Sequence, residues 1–121
     1  MPSTERVQAL IARVVEGKYD GAIEEFYTED ATMQENLATP PRAGRAHLVA
    51  HEQGVIAAFP KITATSPGPC FVDGDHSVVR WRFEFTDVEG KTRTIDELAY
   101  QRWRGDRIAE ERFYYDPAQM R

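Results

Sequence analysis

Cysteine is almost missing from this chain of 121 residues. Cys70 stands alone, so no internal disulfide can form and nothing points to an oxidising compartment. No apolar run approaches the ~20 residues that a membrane span needs. The first residues, MPSTERVQALIARVV, lack a basic stretch and a small-residue cleavage site, so they read as mature structure. Positive charge is also short: 15 Lys and Arg face 20 Asp and Glu, a net charge of −5. Phosphate-backbone binding draws its affinity from clustered Lys and Arg, which argues against nucleic acid as a partner. Repeats, low-complexity tracts and linkers are lacking too. The expectation is a cytoplasmic protein with neither membrane nor nucleic-acid partners. What remains, 41% hydrophobic and 29% charged residues, is the composition of one ordinary globular domain.

The chain divides by periodicity. Ser3 or Thr4 can cap a helix whose apolar residues Val7, Leu10, Ile11, Val14 and Val15 fall on one face, with Gly17 as its stop. Asp20 is expected to cap a short second helix, GAIEEFY, that buries Ile23 and Phe26, with Tyr27 a further candidate for burial. ATPPRAG (38–44) reads as a loop because its two prolines remove backbone donors. A third helix is expected from Arg45 to Phe59, with Leu48, Val49, Val55, Ile56 and Phe59 on one stripe and Pro60 ending it. From Ile62 the period becomes two. VVRWRFEFT sets Val79, Trp81, Phe83 and Phe85 opposite Val78, Arg80, Arg82 and Glu84. RTIDELAYQRW and RIAEERFYYD follow, joined by a tight RGD hairpin that explains this adhesion-like tripeptide as a turn.

This pattern predicts an α+β fold, three N-terminal helices packed on a strongly curved, mainly antiparallel sheet. Residues 1–116 are expected to form the domain and 117–121 a short loose tail. YDGAIEEFYTEDATM, GRAHLVAHEQGVIAAFP and ELAYQRWRGDRIAEERFYYD together resemble the SnoaL-like branch of the nuclear transport factor 2-like superfamily, over nearly the whole chain. The resemblance implies a cone-shaped fold with a pocket at its open end. Polyketide cyclases, ketosteroid isomerases, epoxide hydrolases, dehydratases and non-catalytic proteins share that fold, so it does not by itself select an activity.

The candidate residues come from alternation and from that resemblance. Beyond Ala31 the alternation puts Ala31, Met33, Glu35 and Leu37 on one side, which leaves a carboxylate among apolar neighbours. Setting YTEDATMQEN beside the isomerase pattern YADDATVEDP puts Glu35 where those enzymes keep the carboxylate that moves the proton. Either Glu35 enters the pocket as a base, or the strand is frayed and Glu35 reaches water. Glu52 lies within the apolar stripe of the third helix and His51 at its edge. Glu52 then either shares a proton with Glu35 or pairs with Arg45 or a sheet arginine. Met33, Trp81, Phe83, Glu97 and Tyr114 complete the expected lining, Glu97 because it shares a face with Ile95, Ala99 and Trp103. Asp116 is expected to tie the strand end. His47 and His51 have the i, i+4 spacing that can chelate zinc, but without HExxH order or further ligands they read as solvent-facing and no metal is expected.

Relative to the isomerases, Leu10 stands where the resemblance expects a tyrosine and Ala99 where it expects a protonated acid, so steroid isomerisation is not expected. Two function classes stay open. One is cofactor-free carboxylate acid–base chemistry (cyclase, isomerase or dehydratase-like) on a small, largely apolar metabolite. The other is a module that binds a small lipophilic molecule, or forms a dimer, without turnover. Large side chains on both faces of the last strands also point to a homodimer.

Overall fold

The computed structural model describes residues 1–37 and 40–121. Ala38 and Thr39, at the start of the expected 38–44 loop, lie outside the described residues. Helix α1 runs Thr4–Val15 and is capped by Ser3, whose Oγ accepts from Arg6 N at 3.0 Å. Gly17 (φ 87°) reverses the chain after it, a backbone angle that costs a glycine little. Helix α2 runs Tyr19–Phe26; Lys18 holds its N-cap position, and Asp20 instead accepts from Gly21 N at 3.0 Å. Strand β1 (Tyr27–Glu35) follows directly, and strand β2 (Arg42–Ala43) pairs antiparallel beside it. Helix α3 (Arg45–Ala58) thus comes after two strands, so only two of the three expected helices are N-terminal to the sheet.

Strands β3 (Lys61–Thr65), β4 (Cys70–Asp73), β5 (His76–Thr86), β6 (Thr92–Arg104) and β7 (Arg107–Tyr114) complete the sheet, in the order β2-β1-β7-β6-β5-β3, with β4 paired to β5. The pairing of β1 with β7 is parallel, so the sheet is mixed. Hairpins can only make antiparallel neighbours, and this pair joins the first strand to the last across the intervening chain. β1 ends at Glu35: Asn36 and Leu37 turn away with positive φ, and Leu37 is exposed rather than continuing the apolar side. Among the described residues, no helix is long and apolar enough to cross a membrane.

The core forms where the helices lie on the inner sheet face. Val7 and Leu10 of α1, Ile23 and Phe26 of α2 and Leu48 of α3 pack with Met33, Val79, Trp81, Ala99, Trp103 and Ile108. Residues 117–121, expected as a tail, hold a 3₁₀ turn (Pro117–Met120) capped by Asp116, whose Oδ1 accepts from Ala118 N at 2.9 Å. Gln119 Oε1 accepts from Asp96 N at 2.8 Å, which ties the turn to β6.

Ser77 supports a buried indole, since Trp103 Nε1 donates to its Oγ at 2.8 Å and that Oγ bonds Gln101 at 2.6 Å. Ser77→Ala leaves the indole N–H unpaired, and we expect a loss of about 1–3 kcal/mol in urea unfolding. An unchanged midpoint would show that another acceptor takes over.

Candidate functional site

Met33 and Glu35 of β1, Glu52 of α3 and Glu97 of β6 line one cavity of about 230 Å³. That is several times the roughly 30 Å³ occupied by a water molecule. Alternation explains the strand contributions. Ala31 and Met33 are buried, and Glu35 is next on that side. On β6, Ile95, Glu97, Ala99, Gln101 and Trp103 are all buried on one face. Val55 of α3 and Phe59 just after it, with Phe83, Phe85, Ile95 and Phe113, make the apolar wall; Tyr19, Arg42, His51 and Tyr115 also border it. A narrower space of about 70 Å³ adjoins it, sharing Tyr19, Met33, Glu52, Phe83 and Phe113 and reaching Leu10, Tyr27, Trp81 and Glu111.

The carboxyl groups differ in their surroundings. Glu97 is 9% exposed and has no hydrogen-bond partner among the described residues. Burial, then the charges of Glu35, Glu111 and Glu52, push its carboxyl up to about 8, so it keeps its proton at neutral pH. Glu35 is also raised by burial, but Arg42 opposes the shift. Arg42 Nη2 donates to Glu35 Oε1 at a long 3.5 Å, while Glu35 Oε2 is buried without a partner among the described residues. Glu52 is raised by burial and again opposed by Arg42, with Glu35 and Asp20 adding to the rise. It forms no ion pair among the described residues, and Arg45 donates instead to the Tyr27 carbonyl at 3.1 Å. Arg42 is the one guanidinium on the lining among the described residues.

Of the expected lining, Met33, His51, Phe83 and Glu97 border the larger cavity, while Trp81 borders the narrower space. Tyr114 does not line either: it is 40% exposed on the outer face. The parallel ladder explains this, because pairing Met33 with Glu111 and Glu35 with Phe113 turns the odd-numbered residues of β7 inward. Tyr115 takes the inner place, its N–H held by Asn36 Oδ1 at 2.8 Å. His51 is exposed at the cavity edge, its pKa lowered by burial and then by Arg42 and His47; His47 is exposed too. Among the described residues no group of three or more His, Cys, Asp and Glu is placed to hold a metal ion.

Sequence reasoning missed Arg42, Glu111, Tyr19, Tyr27 and Tyr115. Glu111 had a usable signal, being two residues from both Ala109 and Phe113 on an alternating strand, and Tyr27 had one at the end of the second apolar stripe. Leu10 and Ala99, at the positions of the isomerase donors, are both buried, and Glu97 supplies a carboxyl two residues before Ala99 on the same face.

The model of the SnoaL-like domain matches residues 7–111. No curated protein matches the chain. A Mesorhizobium loti protein named for the SnoaL-like polyketide cyclases and also labelled a carbohydrate phosphatase is 25% identical, with a TM-score of 0.78 over 95% of this chain and 100% of that one. A protein with a ketosteroid isomerase-like fold from Catenulispora acidiphila, in complex with trimethylamine, is 18% identical, with a TM-score of 0.80 over 97% and 89%. TerC, co-crystallised with polyporic acid, is 16% identical, with a TM-score of 0.80 over 96% and 92%. The latter two likenesses concern the fold.

A carboxyl raised in the folded state keeps a proton that the unfolded chain has lost. Glu97, and Glu111 whose carboxyl burial pushes up to about 7, therefore contribute stability that is fully present below 4.5 and lost as pH rises through their folded values. We expect urea stability to fall from about pH 4.5 to about 8 by on the order of a few kcal/mol. Glu97→Gln should flatten much of that fall; an unchanged slope in the variant would contradict the assignment.

Proposed function

Because the chain belongs to the SnoaL-like domain family, we propose that it binds a small, largely apolar metabolite in the cavity between α3 and the sheet and moves protons on it with its own carboxyl groups, without a cofactor. The observation that carries this reading is the contrast between Glu35 and Glu97 on one cavity. Glu35 has Arg42 to hold its charge, whereas Glu97 has no counter-ion and stays protonated at neutral pH. Burial raises both, but Arg42 opposes the rise at Glu35 and nothing among the described residues opposes it at Glu97, a difference that suits a base and an acid. Glu35 takes a proton from the substrate, Glu97 gives one to it, and solvent restores both. Glu52, also raised, is a second base candidate beside Glu35. The reaction class is that of a cyclase, isomerase or dehydratase, and the cytoplasm is the proposed location.

Leu10 and Ala99 favour a second reading, a binding module without turnover, because neither can donate a hydrogen bond from its side chain to a developing oxyanion. Exchange of substrate hydrogen with heavy water separates the two. With a panel of small cyclic ketones followed by NMR, wild type should incorporate deuterium next to the carbonyl. Glu35→Gln and Glu97→Gln should each slow that exchange by about 10²-fold or more while still binding. Binding without exchange in wild type would select the binding module. Glu35→Gln should shift unfolding by no more than about 1 kcal/mol, since its pair with Arg42 is long and partly exposed.

We also propose a homodimer through the outer sheet face. Phe71, Val78 and Tyr100 are cross-strand neighbours there, as are Leu98 and Tyr114, and all but Val78 are exposed. Such a stripe of large apolar groups on a sheet marks a contact surface. Light scattering should give twice the chain mass at micromolar concentration; the mass of one chain would reject the dimer.

A further inference from the structure

Behind the narrower space lies a chain of polar side chains that proton transfer between Glu35 and Glu97 does not use. Trp103 Nε1 donates to Ser77 Oγ at 2.8 Å, Ser77 Oγ donates to Gln101 Oε1 at 2.6 Å, and Gln101 Nε2 donates to Glu111 Oε2 at 2.7 Å. Tyr27 closes the chain by a hydrogen bond between its hydroxyl and Glu111 Oε1. All five side chains are buried, Glu111 at 1% exposure. The indole N–H can only donate, and with Ser77 donating to Gln101 Oε1 the Gln101 amide presents its N–H to Glu111 Oε2. The bond between Tyr27 and Glu111 Oε1 is the one link whose direction is free.

That direction follows the proton on Glu111. As a carboxylate, Glu111 accepts from both Gln101 and Tyr27, and the Tyr27 hydrogen is committed to it. As an acid, with the Gln101 amide N–H on Oε2, Glu111 carries its hydrogen on Oε1 and donates it to the Tyr27 oxygen. The Tyr27 hydrogen is released toward the narrower space, which Tyr27 and Glu111 both line. We infer that Tyr27 recognises the inner end of the ligand and that Glu111 sets the sense of recognition: an oxygen acceptor such as a carbonyl when Glu111 is protonated, a hydroxyl donor when it is ionised. This rests on the pocket reading above and adds the chemistry that the ligand's leading end must have.

The groups that bear on Glu111 come from three elements. Tyr27 and Glu35 lie on β1, Gln101 and Glu97 on β6 and Glu52 on α3, with Arg42 of β2 acting on Glu35 and Glu52. Burial raises Glu111 most; the bonds from Tyr27 and Gln101 oppose it, and the result, about 7, leaves both forms populated near neutrality. Tyr27 is held well above its ordinary value by burial and by Glu111, so it keeps its hydrogen in both states.

Glu111→Gln offers a fixed version of one state. Its amide oxygen accepts from Gln101, its amide nitrogen donates to Tyr27, and the Tyr27 hydrogen is free at every pH. The probes are cyclohexenone and its hydrocarbon analogue cyclohexene, titrated by NMR. Wild type should prefer the ketone by up to roughly tenfold below about pH 7 and lose that preference above it. Glu111→Gln should keep the preference throughout, and Tyr27→Phe should lack it throughout. A preference untouched by Tyr27→Phe, or a Glu111→Gln variant that follows the wild-type pH profile, overturns the inference. The tyrosine doublet in the Raman difference spectrum between wild type and Tyr27→Phe reads the same switch without a ligand. It should change between donor and acceptor patterns across the Glu111 titration and stay constant in Glu111→Gln. A doublet that does not move in wild type overturns the inference whether or not the probes bind. Binding without deuterium exchange in wild type, with this switch intact, counts against the catalytic reading alone.

Discussion

The parallel ladder between β1 and β7 is the constraint on which the site depends. It sets Met33 beside Glu111 and Glu35 beside Phe113, although these pairs lie far apart in the chain. On the other edge of β1, the antiparallel pairing with β2 sets Arg42 opposite Met33 and within reach of the Glu35 carboxyl. The ladder is locked at its end by Asn36, whose N–H donates to the Phe113 carbonyl at 2.8 Å and whose side chain receives Tyr115 N at 2.8 Å. A slip of one residue here would send Glu35 outward and exchange Tyr115 for Tyr114, because side-chain direction alternates with every residue.

Four glutamates, Glu35, Glu52, Glu97 and Glu111, thus act on one another across a low-dielectric interior, with Arg42 the one arginine on their cavity among the described residues. Such a group opposes folding wherever its members are ionised, and the fold offsets it with a closely packed apolar layer of Phe26, Leu10, Leu48 and Trp103. The arrangement separates roles by environment. Arg42 opposes the rise at Glu35, hydrogen bonds from two neighbours moderate Glu111, and Glu97, with neither, is raised further than Glu111.

The three sequence-derived glutamates were legible because each sits in a regular element whose period is undisturbed around it. Glu35 and Glu97 follow strict two-residue alternation, and Glu52 follows the helical stripe of α3. Arg42 was not legible: two prolines precede it, and its strand is two residues long, held by tertiary pairing with β1 rather than by any local preference. Glu111 hid beside Glu110, a doublet that resembles solvated surface, and the register shift between Arg102 and Trp103 separates its phase from that of β6. The same uncertainty of phase put Tyr114 on the wrong face. The SnoaL-like fold was visible through diffuse packing signals along the whole chain, while the parallel pairing was not, since no local pattern records which distant strand becomes a neighbour.

The 3₁₀ turn at residues 117–120 has a practical consequence for handling the protein. Gln119 grips the backbone beside Glu97, and Met120 is part of the cavity wall. Polypeptide continued beyond Arg121, such as an affinity tag or a fused reporter, therefore starts next to the cavity. Met1, whose amino group pairs with Asp75 at 3.2 Å, is held near the β4–β5 turn instead. An added sequence joined there leaves the wall formed by Met120 undisturbed.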